Sequence, residues 1–366
     1  MKGVSVIGAG VAGLIAAKAL SSNGISTRVY EQKVKIGVPV RASGIVSIPG
    51  LASLGIGCNK AITNTLYGAR IHANGTTMHI KSSKPQARVL ERRALNEICR
   101  DEAVDSGAMV TTGHRVSPAS LKHLVGSSVI IGADGAASTV ASTFNMGSID
   151  SYVLTYRAEY EMNVADSENV DLYFDRGVTP GFFAWIAPES KDRIEVAVGL
   201  DSKFGNSKMV FDKFVQQREV QLVIDGAKHI SSFASMIPIG LRKRVVDEAN
   251  GVVLVGDAAG QVKHSTGGGL VFGGNGALLA ADAVKNHIER GAKLSAYEKA
   301  WKKKFGTNVK LHSLIKKMYS KLEVQDFGGL IRLLNRTGIA DFLGSYGDMD
   351  MPSKMIKRIF VRKPND

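Results

Sequence analysis

Three glycines near the N-terminus, in the stretch GAGVAG, have the spacing of a pyrophosphate-binding turn. Gly8, Gly10 and Gly13 follow a short apolar segment and open a helical one. In such a turn the first glycine permits a tight bend, the second lets the backbone approach the phosphates, and the third lets helix and strand pack closely. The helix N-terminus adds free N–H groups and a positive partial charge. The stretch therefore predicts a bound dinucleotide.

An acidic residue follows at the distance that a dinucleotide site requires. Glu31 ends the second apolar segment, 18 positions after Gly13, where its carboxylate can accept hydrogen bonds from ribose hydroxyl groups. The alternative is a tight glycine turn that binds nothing. We expect six residues of this unit at the cofactor, namely Gly8, Gly10, Ala12, Gly13, Glu31 and Gln32.

Three further motifs follow the fingerprint in order along the chain. They are LERRALNEI with Arg92, GADGAAS with Asp134, and LVGDAAGQVKHSTGGGL with Asp257. Together the four motifs resemble the flavoprotein family that includes aromatic hydroxylases and geranylgeranyl reductases. The resemblance implies FAD as the cofactor, with Asp257 on the ribityl chain and with Arg92 and Asp134 at FAD. It also implies that the backbone of the next glycine run approaches the flavin pyrimidine, and that run is Gly267, Gly268 and Gly269.

Within that family the chain is most similar to archaeal-type geranylgeranyl reductases over about residues 1–300. GVPVRASGIVS resembles their G-x-P-V-x-C-[AS]-G-[LI]-[VI]-S, and GDAAGQVK is their form of the later motif. The resemblance implies hydride transfer from reduced flavin to a C=C bond of a polyprenyl (geranylgeranyl) lipid, such as an archaeal ether lipid. It also places three residues of the first segment near the flavin, namely Arg41, Ala42 and Ser43.

The proton that must accompany the hydride has no clear donor in the sequence. Ala42 stands where the family usually has a cysteine, so the thiol is missing. Ser43 is too weakly acidic to replace it directly, although it could hold a water. His264 is the other candidate acid, because imidazolium titrates in the useful range, and a solvent-exposed loop histidine is its alternative interpretation. The catalytic acid stays unassigned.

FFAWIAP resembles a degenerate form of the family's Y-x-W-x-F-P motif. Trp185 and Pro188 are kept, whereas Phe183 replaces tyrosine and Ala187 replaces phenylalanine. Phe183, Trp185 and Pro188 are therefore predicted to line a long apolar substrate pocket, and sheet core is the alternative for the two aromatic residues.

Two other functions remain open at this level. A flavin monooxygenase of a small or lipid substrate shares the fold and the FAD motifs, and a catalytically silent FAD-binding lipid protein fits the loss at Ala42. A halogenase is disfavoured, since Trp185 alone remains of its usual tryptophan pair. No second dinucleotide fingerprint is present, so NAD(P)H that docks transiently and a ferredoxin-like carrier are both open as electron donors.

Alternating and helical patterns place these motifs in an α/β protein. Residues 3–7, 11–22 and the TRVYEQ segment form a β-α-β start, LYGARIHANGTTMHI predicts a hairpin, and residues 151–236 alternate as an antiparallel sheet. We predict a discontinuous Rossmann-type FAD-binding domain with a mainly antiparallel sheet inserted into it and a C-terminal helical tail. The expected divisions are 1–60, 85–150 and 237–290 for FAD, 61–84 and 151–236 for substrate, and 291–366 for the basic tail.

Composition limits the remaining possibilities. The 366 residues are 44% hydrophobic, and the two cysteines, Cys58 and Cys99, form no zinc or disulfide pattern, which fits a reducing cytosol. The uncharged stretches are glycine-rich and short for a membrane span. The net charge is +14, and between Lys299 and Leu322 there are eight lysines and no carboxylate. A solvated basic helix and a helix on the cytoplasmic face of an anionic membrane are both open. Neither a metal nor a nucleic-acid partner is expected.

Overall fold

The N-terminal β-α-β unit is the centre of the first sheet. The computed structural model describes residues 3–39 and 43–361, with side chains up to residue 356. The strand Gly3–Ile7 pairs in parallel with Thr27–Tyr30 on one side and with Ser128–Gly132 on the other. The helix Val11–Ser21 connects the first two strands and is buried along most of its length. This is the parallel arrangement that the fingerprint predicts.

The strands of the described chain are numbered here in chain order. They are β1 Gly3–Ile7, β2 Thr27–Tyr30, β3 Ile45–Ser47, β4 Ile62–Leu66, β5 Gly68–Ala73, β6 Thr76–Ile80, β7 Ala87–Leu90, β8 Met109–Thr111, β9 Ser128–Gly132, β10 Ser151–Glu161, β11 Asn169–Tyr173, β12 Ala184–Pro188, β13 Arg193–Asp201, β14 Lys228–Ile239, β15 Val246–Asp247 and β16 Val252–Leu254.

The helices are numbered in the same way. They are α1 Val11–Ser21, α2 Ile48–Ala52, α3 Arg92–Asp105, α4 Pro118–Leu124, α5 Thr139–Thr143, α6 Ser207–Val215, α7 Arg218–Ile224, α8 Leu270–Arg290, α9 Ala296–Tyr319, α10 Val324–Arg336, α11 Ile339–Tyr346 and α12 Pro352–Val361.

These strands form three sheets within the described residues. The first has the order β15-β16-β9-β1-β2-β8 and is parallel except at β15–β16. The second has the order β14-β10-β13-β12-β11-β5-β6 and is antiparallel except where β11 pairs with β5. The third, β3-β7-β4, is small and antiparallel. The fold class expected from the sequence is therefore confirmed, including the mainly antiparallel inserted sheet.

The hairpin predicted around Asn-Gly is β5–β6. Asn74 and Gly75 both adopt positive φ, the conformation that a two-residue hairpin turn requires. Pairing of β11 with β5 then adds the hairpin to the edge of the inserted sheet. Strand β4, which lies in the 61–84 segment expected to belong to the substrate part, instead pairs with β7. The domain boundaries themselves stay a prediction.

Within residues 151–236, which the sequence predicts as an antiparallel sheet, the chain also forms two helices. FDKFVQQREVQLVI spans the end of α6 and all of α7, and Gln217 between them has an extended backbone with ψ of 136°. The break lets both helices lie on one face of the large sheet, where Phe211, Phe214 and Val220 are buried. The opposite face of that sheet is left for the functional site.

The C-terminal tail is helical, as predicted, and the apolar residues along α9 are only partly buried. Trp301, Phe305 and Val309 pack into the core of the nucleotide domain, whereas Ile315 and Met318 are exposed. Helices α10 and α11 pack on the β5–β6 hairpin, and α12 packs on α9. Within the described residues no helix is both long enough and apolar enough to cross a bilayer.

The packing of α9 generates a stability prediction. Trp301→Ala should lower the free energy of unfolding by about 3–5 kcal/mol, because it empties a buried indole site. Leu314→Ala on the same helix is the control, since Leu314 is 53% exposed and its change should stay within about 0.5 kcal/mol. Urea unfolding of both variants checks this, and equal losses would show that α9 is not anchored through Trp301.

Candidate FAD site and its surroundings

The fingerprint glycines form a backbone cradle at the start of α1. Gly8 has a φ of 103°, and a Cβ on it would overlap the carbonyl of Ala133. A Cβ on Gly13 would overlap the carbonyl oxygen of Gly8. Gly10, in contrast, faces open space, with no atom within 4 Å of its would-be Cβ. The turn is thus tightly packed on one side and open on the side where phosphates would approach the helix N-terminus.

Glu31 is fixed at the end of β2 beside this cradle. Its carboxylate accepts hydrogen bonds from the backbone N–H of Ala9 at 2.8 Å and of Lys33 at 2.9 Å. Each oxygen keeps a second lone pair, so the group can still accept a hydroxyl. The neighbouring Gln32 is exposed. This geometry suits the proposed ribose contact of Glu31.

Asp257 is a desolvated carboxylate that makes no hydrogen bond to another described residue. Burial raises its pKa, and the nearby Arg92 guanidinium opposes that rise. Burial also lowers the pKa of Arg92. A Cβ on Gly269 would lie 2.9 Å from Asp257 Oδ1, so the carboxylate lies directly against the backbone of the glycine run. Asp257 is half-buried, so its oxygens can accept hydrogen bonds from a bound ligand, and the hydroxyl groups of a ribityl chain fit them.

The Asp134 side chain makes hydrogen bonds to residues close to it in the sequence. Its carboxylate accepts a hydrogen bond from Ser138 Oγ at 2.6 Å and another from the backbone N–H of Val140 at 3.0 Å. It therefore holds the turn that leads into α5, directly after the Ala133 carbonyl that packs on Gly8. Its own contact with FAD stays a proposal.

The run Gly267–Gly269 precedes α8 and is packed from both sides. A Cβ on Gly267 would lie 2.6 Å from Ile237 of the inserted sheet, and one on Gly268 would lie 2.6 Å from Lys263 Cε. The run therefore sits at the junction of the nucleotide domain and the inserted sheet. The N-terminus of the 21-residue helix α8 begins there and favours negative charge.

The proposed pocket residues lie on strand β12 and just before it. Phe183 is 5% exposed and stacks on Phe182, with ring centroids 4.3 Å apart. Trp185 is partly buried, and its Nε1 donates to Glu195 Oε1 at 2.7 Å. The Pro188 carbonyl accepts from Asn64 Nδ2 at 3.0 Å. Phe183 and Trp185 share the sheet face opposite α6 and α7, and their contact with a substrate stays a proposal.

The candidate acids differ in their surroundings. His264 is 6% exposed rather than in a solvent-exposed loop, and burial is the main reason that its pKa falls to about 4. Its Nδ1 pairs with Ser313 Oγ at 2.6 Å, and its Nε2 accepts from the Gly240 N–H at 3.2 Å. The ring is therefore neutral at neutral pH, which disfavours its candidacy as an acid. Ser43 is half-buried, and Arg41 and Ala42 lie outside the described residues.

A group of buried charges on the inserted sheet was not expected from the sequence. Arg157 contacts Glu195 and lies 2.9 Å from Glu159, all within strands of the inserted sheet. Arg157 and Glu159 border a cavity of about 430 Å³ that is also lined by Arg92, Glu189 and Phe233. The signal in the sequence was charge at alternate positions of otherwise apolar strands, YVLTYRAEYE and RIEVAVGL. The described residues hold no cluster of side chains suited to a metal ion.

Comparison with known proteins also indicates an FAD-binding flavoprotein. Residues 2–289 match the FAD binding domain family. The chain is 30% identical to digeranylgeranylglycerophospholipid reductase 1 of Methanothermobacter thermautotrophicus, covering 86% of this chain and 85% of that protein. It is 28% identical to digeranylgeranylglycerophospholipid reductase 2 of Methanopyrus kandleri, covering 99% and 96%. A crystal structure of a geranylgeranyl bacteriochlorophyll reductase-like protein from Thermoplasma acidophilum superposes with a TM-score of 0.85 at 20% identity, covering 100% and 97%.

Removal of the Asp257 carboxylate should weaken cofactor binding. Asp257→Ala deletes a desolvated acceptor, and we expect the FAD dissociation constant to rise about tenfold to hundredfold. Asp282→Ala, at an exposed position of α8, is the matched control and should leave it unchanged. Titration of apoprotein with FAD, followed by flavin fluorescence, measures both. Equal affinities would contradict the placement of FAD at Asp257.

Glu189 makes stability depend on pH. Burial, together with Glu195 and Glu159, raises the pKa of Glu189 from 4.5 to about 8. The folded protein therefore holds an extra proton between those values, and this carboxyl makes folding less favourable as pH rises through the window. Glu189→Gln cannot ionise, so its stability relative to the wild type should be greater at pH 9 than at pH 5. Urea midpoints test this, with the exposed Glu219→Gln as the control; a difference that is independent of pH would refute it.

Proposed function

We propose that this chain, which belongs to the FAD binding domain family and to its geranylgeranyl reductase flavoproteins, saturates C=C bonds of a polyprenyl lipid. It is an FAD-dependent oxidoreductase. The observation that carries the finer assignment is similarity over almost the full length of two curated digeranylgeranylglycerophospholipid reductases. That similarity includes the inserted sheet as well as the FAD motifs, and the sheet is where a substrate would be recognised.

The residues present fit bound FAD, which in its reduced form supplies a hydride. The backbone at Gly8, Gly10 and Gly13 would hold the pyrophosphate, and Asp257 and Arg92 would bind the adjoining part of the cofactor. The aromatic face of the inserted sheet would keep water from the reacting double bond. An apolar wall and a nearby group of desolvated charges suit a substrate with a long hydrocarbon chain and a polar head.

Glu189, in the wall of this cavity, is the residue best suited to supply the proton. Glu189 lines the cavity together with Arg92 and carries a proton at neutral pH, since its pKa lies at about 8. Such a carboxyl can pass protons from solvent towards the site and be reprotonated from water. His264, which is neutral and has hydrogen-bond partners at both ring nitrogens, does not offer that proton.

Anaerobic mixing tests the assignment and separates it from the alternatives. Protein that is reduced with dithionite should reoxidise when it is mixed with a geranylgeranyl phospholipid. The same lipid with saturated chains should leave the flavin reduced, because it has no double bond to accept the hydride. Flavin absorbance follows both reactions. Flavin that stays reduced with the unsaturated lipid until air enters would contradict the proposal and favour a monooxygenase or a silent lipid-binding protein.

We further propose that the end of α9 docks on an anionic membrane surface. Leu314 and Met318 are 53% and 56% exposed and lie four residues apart on one side of the helix. The exposed Lys310 and Lys317 flank them. An apolar pair framed by lysines matches the boundary of an anionic bilayer, where each nearby lysine contributes roughly 1 kcal/mol. This location would bring the protein to a water-insoluble substrate.

Introduction of negative charge at the apolar pair should weaken docking. Leu314→Glu with Met318→Glu should reduce binding to phosphatidylglycerol vesicles about tenfold or more, because it removes apolar contact and adds repulsion. The matched control is Met209→Glu with Leu222→Glu, two residues that are 62% and 73% exposed on α6 and α7. Vesicle co-sedimentation at moderate salt compares them. Equal binding by both double variants would show that α9 is not the docking surface.

A further inference from the structure

The loop after α11 returns to the nucleotide domain and buries a carboxylate there. Asp350 is 4% exposed, and its Oδ1 accepts a hydrogen bond from Lys263 Nζ at 2.8 Å. Its Oδ2 accepts from the hydroxyl of Ser47. Its backbone carbonyl lies 3.2 Å from His312 Nε2 on α9. A residue of the C-terminal region thus joins three distant parts of the chain.

Two of these parts belong to segments expected to contact the flavin, and Ser47 itself ends strand β3. Ser47 ends PVRASGIVS, and its Oγ also accepts from the Gly50 N–H at 2.9 Å, which caps α2. Lys263 ends GDAAGQVK, and its backbone N–H and C=O bond to Gly268 and Gly267 at 3.0 and 2.7 Å. Its side chain covers Gly268. Asp350 therefore connects the described end of the first segment with the residues that hold the glycine run.

Asp350 and Lys263 form the ion pair of this buried network. Lys263 is 8% exposed, so neither partner is well solvated. Burial lowers the pKa of His312 and of His264 to about 4, which leaves both rings neutral at neutral pH. Removing one member of a buried pair leaves an uncompensated charge, whereas removing both does not. The two single losses should thus have opposite electrostatic effects.

We propose that Asp350 is a positioning residue for the flavin, and that its pair with Lys263 holds the two segments together while it cancels the charge beside them. The inference rests on the placement of FAD in the proposed function and not on the identity of the lipid. It makes the C-terminal region part of the cofactor site rather than a membrane tail alone.

The sign of the charge left behind predicts the behaviour of the flavin. Reduction increases the negative charge on the flavin. A lone cation beside the ring therefore stabilises the reduced form, and a lone anion destabilises it. Asp350→Asn should therefore raise the midpoint potential of bound FAD, and Lys263→Met should lower it. The double variant should return close to the wild type. Each single variant should also weaken FAD binding by at least about tenfold, through loosening of the two segments.

The experiment is a dye-equilibrated redox titration of the FAD-loaded protein, together with FAD titration of the apoprotein. The control is the exposed pair on α6, changed by Lys208→Met and Asp212→Asn, whose side chains are 50% and 48% exposed. Potentials that shift in opposite directions support the proposal. Shifts of the same sign, or none, would overturn it, since a merely structural role gives no dependence on the sign of the charge.

A milder variant covers the case in which the single-charge variants do not fold. Ser47→Ala removes one hydrogen bond to Asp350 and its cap on α2 but leaves the ion pair intact, and it should weaken FAD binding about two- to tenfold. Unchanged affinity would refute the positioning role. Since no lipid enters these measurements, a failure of lipid turnover would count against the proposed function and leave this inference standing.

Discussion

Close backbone contact between α1 and the ends of β1 and β9 is the constraint on which the rest of the site depends. Gly8 and Gly13 leave no room for a side chain, and the Ala133 carbonyl fills the space beside Gly8. That packing points the N-terminus of α1 at open space next to Gly10 and places Glu31 beside it. The Asp134 turn holds the strand end in position. The proposed phosphate site would thus consist of backbone geometry rather than of basic side chains.

The motifs that act locally could be predicted, because each consists of a turn and the element next to it within a few residues. The fingerprint, the Asn74–Gly75 hairpin and the glycine run before α8 all belong to this kind. Contacts between distant segments could not. Ser47 and Asp350 are 303 positions apart, and no periodicity links the Arg157 and Glu195 strands. The break between α6 and α7 could not be predicted either, because it depends on how the two helices pack on one face of the large sheet.

The C-terminal region changes most between the sequence and the structure. Its lysines suggested a solvated or membrane-bound helix, and the exposed end of α9 is compatible with either. Its buried parts, however, contact both halves of the molecule. Trp301 packs into the nucleotide domain, and Tyr319 donates to the Ser265 carbonyl at 2.9 Å while it packs against the Phe174 ring. A segment that was expected to be solvated or membrane-bound thus lies partly between the loop that contains Ser265 and the aromatic face of the inserted sheet.

We propose that reduced flavin in this protein saturates a polyprenyl chain. Mass spectrometry of the lipid recovered from one anaerobic turnover tests it most directly. The account predicts that the geranylgeranyl phospholipid gains two hydrogen atoms at a double bond for each flavin oxidised. Recovery of unchanged lipid, or of lipid that gains an oxygen atom once air is admitted, would contradict it.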